Sequence, residues 1–346
     1  MKRFYVGNLR EGMKLEDVFL VASKSVGTTR SGSPYLRMRL ADRTGEIEAV
    51  KWEVTETDTA KLHEDDYIFV SATASTYRDS LQLTIDSLRK WSDDVDPADF
   101  LRCSERDIDE MIAQFRELLQ SVSNPHLKSL LRSFFDDDNF SLKFQQAPAA
   151  KTNHHACVGG LLEHSLSVMR MCVELAKLYP QLDKDLLLTG AALHDIGKVE
   201  EFNWTGSIKY SESGVLVGHL VGGAMMVKKA ADEIDDFDPL LNIALQHLIL
   251  SHHGSREYGS PKLPKSIEAL ALHCADDLDA LIAMFEQAIE DSDGNGDSGL
   301  FTKRHFLLAR PIFKGHRRNE DDKSQEPIAE VDLDSLAADY DPFADD

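Results

Sequence analysis

The hydrophobic pattern of this 346-residue chain changes period once, near residue 100, and that change dictates two architectures in series. Up to Arg89, apolar and polar residues alternate over short runs, the spacing of half-buried strands. The runs "DVFLVASKSV", "PYLRMRLAD", "GEIEAVKW", "YIFVSATAS" and "LQLTIDSLR" predict five strands, with turns at "RSGS" and "DRTG". Beyond "DDVDPADFL", whose Pro97 marks a linker, apolar residues recur every three or four places. In "ERDIDEMIAQFRELLQSV", Ile108, Met111, Ile112, Phe115, Leu118 and Leu119 share one helical face. Further helical stretches follow as far as "SIEALALHCADDLDALIAMFEQAI", with no internal repeat and no comparable strand signal.

Between the third and fourth predicted strands lies "TETDTAKLHEDD", long enough for a short helix. Five strands with a helix at that place is the layout of an OB-fold barrel, whose exposed face commonly binds single-stranded nucleic acid. The fold class expected is therefore multidomain. An all-β OB-fold barrel spans residues 1–92, a linker 93–102, an all-α bundle 103–316 and an acidic, disordered tail 317–346. On the barrel, Tyr35, Trp52 and Tyr77 are candidates for stacking on bases, with Arg30, Arg37, Arg39, Lys51 and Arg78 for phosphate. A second reading makes the aromatics barrel core and the basic residues solvated outward positions, and both stand at this point.

The net charge of −22 argues at first sight against a polyanionic partner. Its distribution weakens that argument. Residues 1–92 carry 14 basic and 14 acidic groups, residues 93–317 carry 22 and 35, and residues 318–346 carry 2 and 11. A surplus of carboxylates in the helical region would also attract divalent cations. Cys103, Cys157, Cys172 and Cys274 are scattered without a C-x-x-C pair and read as reduced side chains. No apolar run approaches a membrane span and the start of the chain lacks a signal-peptide pattern, so a cytoplasmic location is expected.

What sets the helical region apart is the recurrence of histidine inside apolar helices: His154 and His155, His164, His194, His219, then His247, His252 and His253, and His273 close to Asp276. One such histidine is ordinarily a satisfied core residue. Repeated on helix after helix beside carboxylates, imidazole and carboxylate make a ligand set for Mn, Fe, Zn and related divalent metals. His164 in "LLEHSL", His194 and Asp195 in "ALHDIGK" and Asp276 in "HCADDLDAL" resemble the H, HD, D signature of HD-domain metal-dependent phosphohydrolases. His219 in "VGHLVGG" and His252 and His253 in "LSHHG" match the further histidines of binuclear members.

The resemblance narrows further. The OB-like module, "NHHACVGGLLEHSLSV", "HDIGKVEEF", "SHHG" and "GLFTKRHFLLARPIFKG" together look like the YhaM-type 3'-to-5' exoribonucleases, over nearly all of the chain to about Gly315. That resemblance implies trimming of single-stranded RNA from the 3' end to nucleoside 5'-monophosphates by a metal-activated water. Some relatives act on DNA ends as well. It implies two divalent metal ions, Mn first, with Fe, Co, Mg and Zn admissible. One metal would be held by His164, His194, Asp195 and Asp276, and the other would share Asp195 and take His219 and His252. Of the adjacent His252 and His253, about 100° apart if helical, one is expected to ligate and the other to face substrate. Lys198, four residues after His194, is expected to contact phosphate. His154 and His155 are candidates for binding phosphate or protonating the leaving 3' oxygen, and Arg304 and Arg310 for lining the RNA path. The resemblance also hints at a homo-oligomer.

A rival HD phosphodiesterase acting on a small nucleotide or cyclic dinucleotide is disfavoured, because "VGHLVGG" lacks the GYP element and Gly160 stands where those enzymes place an extra acidic ligand. A non-catalytic nucleic-acid-binding adaptor would not need the open positions of a two-metal centre. The stretch "DSDGNGDSG" imitates a calcium loop but has Ser298 and Thr302 at its eighth and twelfth places, so it reads as a flexible loop. The tail, with Leu333, Leu336, Tyr340 and Phe343 among its acids, is expected to be solvated, a short protein-docking motif being the minor alternative.

Overall fold

The structure, a computed structural model, describes residues 2–29, 32–52, 54, 62–78, 80–151, 155–204, 207–294 and 299–315. Arg30, His154, most of the helix expected after the third strand, the centre of "DSDGNGDSG" and the acidic tail lie outside the described residues. The chain divides into two compact units, Met1–Gln287 and Ala288–Asp346.

The five expected strands form as β1 (Lys14–Thr28), β2 (Pro34–Asp42), β3 (Gly45–Trp52), β4 (Tyr67–Tyr77) and β5 (Ser80–Lys90), closed into a barrel in the order β1-β2-β3-β5-β4. Its pairings are antiparallel except for β3 with β5, where Ala49 lies opposite Leu83. Closure leaves no unpaired edge, so a single small sheet can wrap its own core. Leu36, Met38 and Leu40 of β2, with Phe19, Ile68, Val70 and Leu83, fill that interior. The period of two then turns Tyr35, Arg37 and Arg39 outward.

The helical part consists of α1 (Ile108–Gln120), α2 (Pro125–Phe135), α3 (Asp138–Gln146), α4 (Gly160–Leu178), α5 (Lys184–Leu193) and the short α6 (Lys198–Glu201). A hairpin of β6 (Phe202–Asn203) and β7 (Lys209–Tyr210) follows, then α7 (Glu212–Leu216), α8 (His219–Asp232), α9 (Pro239–Ser251) and α10 (Ile267–Gly294). Asp107, Asn124, Asp137, Asp183, Ser211 and Asp238 cap helix starts by accepting from backbone N–H groups of the first turn. The predicted face of α1 is inward, with Met111 and Phe115 buried. Every residue of α5 from Leu186 to Leu193 is buried, so the central helix is gripped on all sides. Asp65, in the left-handed region at φ 67°, joins barrel to bundle: it accepts from Ser207 Oγ at 2.7 Å and pairs with Lys209 of β7. The expected class, a closed five-strand OB barrel followed by a helical HD bundle, is the one observed.

Candidate metal centre

Most polar residues of the bundle's interior come from helix ends, Asp276 being drawn from within a long helix. His164 lies in the second turn of α4, His194 and Asp195 directly follow α5, His219 opens α8, His252 and His253 directly follow α9, and Asp276 projects from α10. His164, His194, Asp195 and His252 are each no more than 3% exposed. At each histidine Nδ1 is committed to an acceptor: His194 donates to Ala191 O at 2.8 Å, His252 to Ile249 O at 2.8 Å and His253 to Tyr258 O at 2.8 Å. His164 pairs through Nδ1 with Asp279 at 2.7 Å, and His219 with Glu201 at 2.9 Å. Carbonyl and carboxylate oxygens can only accept, so these bonds fix the tautomer and leave five Nε2 lone pairs facing inward.

Four of those lone pairs, all but that of His253, converge on Asp195. Its Oδ2 lies 3.5 Å from His164 Nε2 and 3.4 Å from His194 Nε2, and its Oδ1 lies 3.5 Å from both His219 Nε2 and His252 Nε2. Asp276 Oδ1 stands 3.1 Å from His164 Nε2 and 3.7 Å from His194 Nε2. Acceptors also face acceptors: the Nε2 atoms of His164 and His194 are 3.1 Å apart, and those of His219 and His253 are 3.3 Å apart. Asp195 Oδ1 is buried without a hydrogen-bond donor among the described residues. Buried lone pairs directed at one another need a positive charge between them, and imidazole with carboxylate is a donor set for divalent transition metals. The residues fit such ions. His164, His194 and Asp276 form one group of ligand atoms, His194, Asp195 and His252 a second, and His219, His252 and His253 a third.

The charges agree with this arrangement. Burial would raise the Asp195 carboxyl, yet the ammonium of Lys198 and the neighbouring His194 hold it well below the usual carboxylate range. Burial would likewise raise Asp276 and Asp279, and their histidine partners lower both. Burial pushes His252 down to about 4 and also lowers His253, keeping both rings in the neutral, ligating form. His164 is the exception: burial would lower it, but hydrogen bonds to Asp276 and Asp279 carry it up to about 10, so its Nε2 must give up a proton when a cation binds.

Both His252 and His253 reach the centre, where a helical spacing of 100° would bring one. The helix ends at Ser251, so His253 lies in a turn, and the two rings meet edge to face with centroids 4.5 Å apart. Lys198 does project to the centre, but its Nζ lies 2.6 Å from Asp195 Oδ2. His155, with φ 52°, sits between two acids, its Nε2 3.2 Å from Asp279 Oδ2 and its Nδ1 3.7 Å from Glu163 Oε2. His247 and His273 have structural work instead: His247 Nε2 accepts from Lys265 N, and His273 Nδ1 donates to His252 O.

Two glycines make the convergence possible. A Cβ on Gly197 would overlap His219 O and stand 2.8 Å from Gly223 N, so the turn after Asp195 lies flat against the start of α8. A Cβ on Gly160 would overlap His155 O, which excludes a side chain where the start of α4 meets the His155 turn. The sequence reading assigned no role to Asp279, Glu201 or Glu163. Asp279 was within reach, since it stands one helical turn beyond Asp276 on α10.

On the barrel, Tyr35 and Trp52 are cross-strand partners with ring centroids 5.2 Å apart, and Trp52 is 51% exposed. The Tyr35 ring lies over Gly27, where any Cβ would strike it. Tyr77 is also exposed, with the Arg78 guanidinium over its ring. The aromatics are therefore outward, not core. Arg37 makes a two-point bond to Glu48 at 2.7 and 2.8 Å, and Arg39 pairs with Glu46 at 3.0 Å, so these cations are already matched by β3. Lys51 Nζ donates to Asp86 O. In the second unit, Arg304 and Arg310 are exposed on the segment after α10.

The HD domain family matches residues 161–281, and the OB-fold nucleic acid binding domain family matches residues 20–91. The "3'-5' exoribonuclease YhaM" of Bacillus subtilis is 34% identical over 304 residues, covering 87% of this chain and 95% of its own length. The protein of that name from Shouchella clausii is 36% identical over 306 residues, covering 88% and 94%. That of Listeria monocytogenes serotype 4b is 34% identical over 304 residues, covering 86% and 94%.

Proposed function

This chain belongs to the family of YhaM 3'-5' exoribonucleases, and on that premise we propose that it shortens single-stranded RNA from the 3' end, releasing nucleoside 5'-monophosphates, with manganese as its foremost metal. It is a metal-dependent hydrolase of phosphodiester bonds with a nucleic-acid-binding OB domain. The observation that carries the reading is the convergence of four inward Nε2 lone pairs on the two oxygens of Asp195, with a fifth, that of His253, facing His219 Nε2.

His164, His194, Asp276 and Asp195 Oδ2 would hold one divalent cation, and His219, His252, His253 and Asp195 Oδ1 the other. Bound there, such cations supply Lewis-acid charge that lowers the pKa of a water and stabilises developing charge on phosphate. The chain's own residues do the rest. Asp279 and Glu201 hold His164 and His219 in the ligating tautomer. Lys198, tethered to Asp195, has a flexible stem that lets its ammonium meet an incoming phosphate oxygen. His155, bonded to Asp279, would pass a proton to the leaving 3' oxygen. Tyr35 and Trp52 offer ring faces on which bases stack, which positions the strand without selecting its sequence.

The test is incubation of the full chain with Mn and a single-stranded oligoribonucleotide whose 3' end is free or blocked, beside a cyclic dinucleotide and a nucleoside triphosphate. Stepwise shortening of the unblocked strand alone is expected. Turnover confined to the small molecules would sink the reading.

A further inference from the structure

The segment from Gly299 to Gly315 runs against the composition of the chain around it. The whole protein carries 60 acidic and 38 basic residues, whereas this segment holds Lys303, Arg304, Arg310 and Lys314 with no Asp or Glu. It is also tightly tied. Phe301 and Phe313 pair across its base with ring centroids 5.3 Å apart. Thr302 N donates to Ile312 O at 2.9 Å, and Ile312 N donates to Thr302 Oγ1 at 3.0 Å. Nearer the tip, His305 N donates to Arg310 O at 3.0 Å. The tip presents Phe306 at 92% exposure, a large apolar ring held in water by a loop that leaves it no fold of its own to pack against.

Phe306 also forms part of the wall of a cavity of about 570 Å³ within the same unit. Its polar lining is Asp291, Ser292, Thr302, Lys303, Arg304 and His305. Ser292 is 9% exposed, and its buried hydroxyl meets no hydrogen-bond partner among the described residues. A buried hydroxyl without a partner is unfavourable, and groups of this kind call for a ligand or solvent to complete them.

We propose that this loop and cavity form a nucleotide subsite for the RNA strand, in which Phe306 stacks on a base, Lys303 and Arg304 hold its phosphates and Ser292 Oγ bonds a phosphate or sugar oxygen. The identity of the polymer rests on the exoribonuclease reading. The chemistry matches point by point: stacking needs an exposed ring face, phosphates need cations in excess over local carboxylates, and a polar cavity suits a sugar–phosphate. Asp291, the one acid in the lining, can accept from the amino edge of a base. A lipid surface or a second copy of the chain would cover Phe306 but give Ser292 no partner.

The test is binding of the full chain to a labelled single-stranded oligoribonucleotide in EDTA, where affinity is read without hydrolysis. Phe306→Ala should weaken binding about 5- to 150-fold, the span that stacking one base on an aromatic ring covers. Phe306→Trp should bind like the parent, while Phe306→Leu should bind as weakly as Phe306→Ala. Joint replacement Lys303→Ala and Arg304→Ala should flatten the slope of log affinity against log salt by roughly 1.4, at about 0.7 per phosphate contact on a single strand. Unchanged affinity and slope overturn the proposal. So does a Phe306→Ala variant that binds RNA normally but dissociates an oligomer in light scattering, or no longer floats with phosphatidylglycerol vesicles. If the parent binds through this loop yet never shortens RNA, the exoribonuclease reading falls and the subsite stands. If it shortens RNA while these variants bind normally, the reverse holds.

Discussion

Asp195 gives its two carboxylate oxygens to two different sets of imidazoles, Oδ2 towards His164 and His194 and Oδ1 towards His219 and His252. Imidazole could not do this, because it has one inward lone pair whereas a carboxylate has two oxygens. Asp195→Ala should therefore lower RNA hydrolysis by about a thousandfold or more, as the loss of several kcal/mol of charge stabilisation implies. Oligonucleotide binding, measured by anisotropy, should stay within about twofold, since none of the proposed stacking residues belongs to the metal centre. Equal loss of both would show that binding and hydrolysis are not divided between the domains. Glu201 and Asp279 touch no inward lone pair and act by fixing the rings that carry one. Glu201→Gln and Asp279→Asn should each weaken metal affinity about 10- to 100-fold in calorimetric titration while the circular dichroism spectrum is preserved.

At the scale of elements, the centre is built where helices stop. His194 and Asp195 leave α5 at its C-terminal end, His252 and His253 leave α9, and His219 begins α8, so rigid helices fix the origin of each side chain while a turn sets its direction. Gly197 brings two of these ends together. Gly197→Ala would force apart the backbones of the Asp195 turn and of α8, because the clash is with main-chain atoms that cannot rotate away. The expected loss is about 1–3 kcal/mol of stability in urea titration, with weakened metal binding. An Ala variant with parental stability and metal affinity would show that the approach is not required. On the barrel, Gly27 has the corresponding role for Tyr35, whose ring lies flat on the strand beside Trp52. Gly27→Ala should displace that ring and weaken RNA binding, leaving the metal affinity of the bundle unchanged.

For the whole molecule, cation binding and folding are linked, because the ligands are drawn from α4, the ends of α5 and α9, the start of α8 and α10, and converge only in the folded bundle. Mn at about a hundred times its Kd should stabilise the bundle by about 2.7 kcal/mol, which for a domain of this size raises Tm by roughly 5–10 °C. EDTA should reverse the shift, and Asp195→Ala should show little of it; a melting curve indifferent to Mn in the parent would argue against a centre held by these residues. The sequence by itself determined the order of architectures and that histidines recur inside the bundle. A period of two closes a barrel, a period near 3.6 builds a bundle, and an imidazole recurring on apolar helices is anomalous at any distance. It could not reveal that Asp279 meets His164 across 115 residues, or that Glu201 meets His219, because a carboxylate on a helix is ordinary until the fold supplies its neighbour. Nor could it show that Arg37 is matched by Glu48, which depends on the register of β2 against β3. That both His252 and His253 point inward was also decided by the tertiary structure, since it follows from the helix ending at Ser251. Local pattern sets which residues are available; which atoms face each other depends on contacts between segments far apart in the chain, and those exist only once the core has packed.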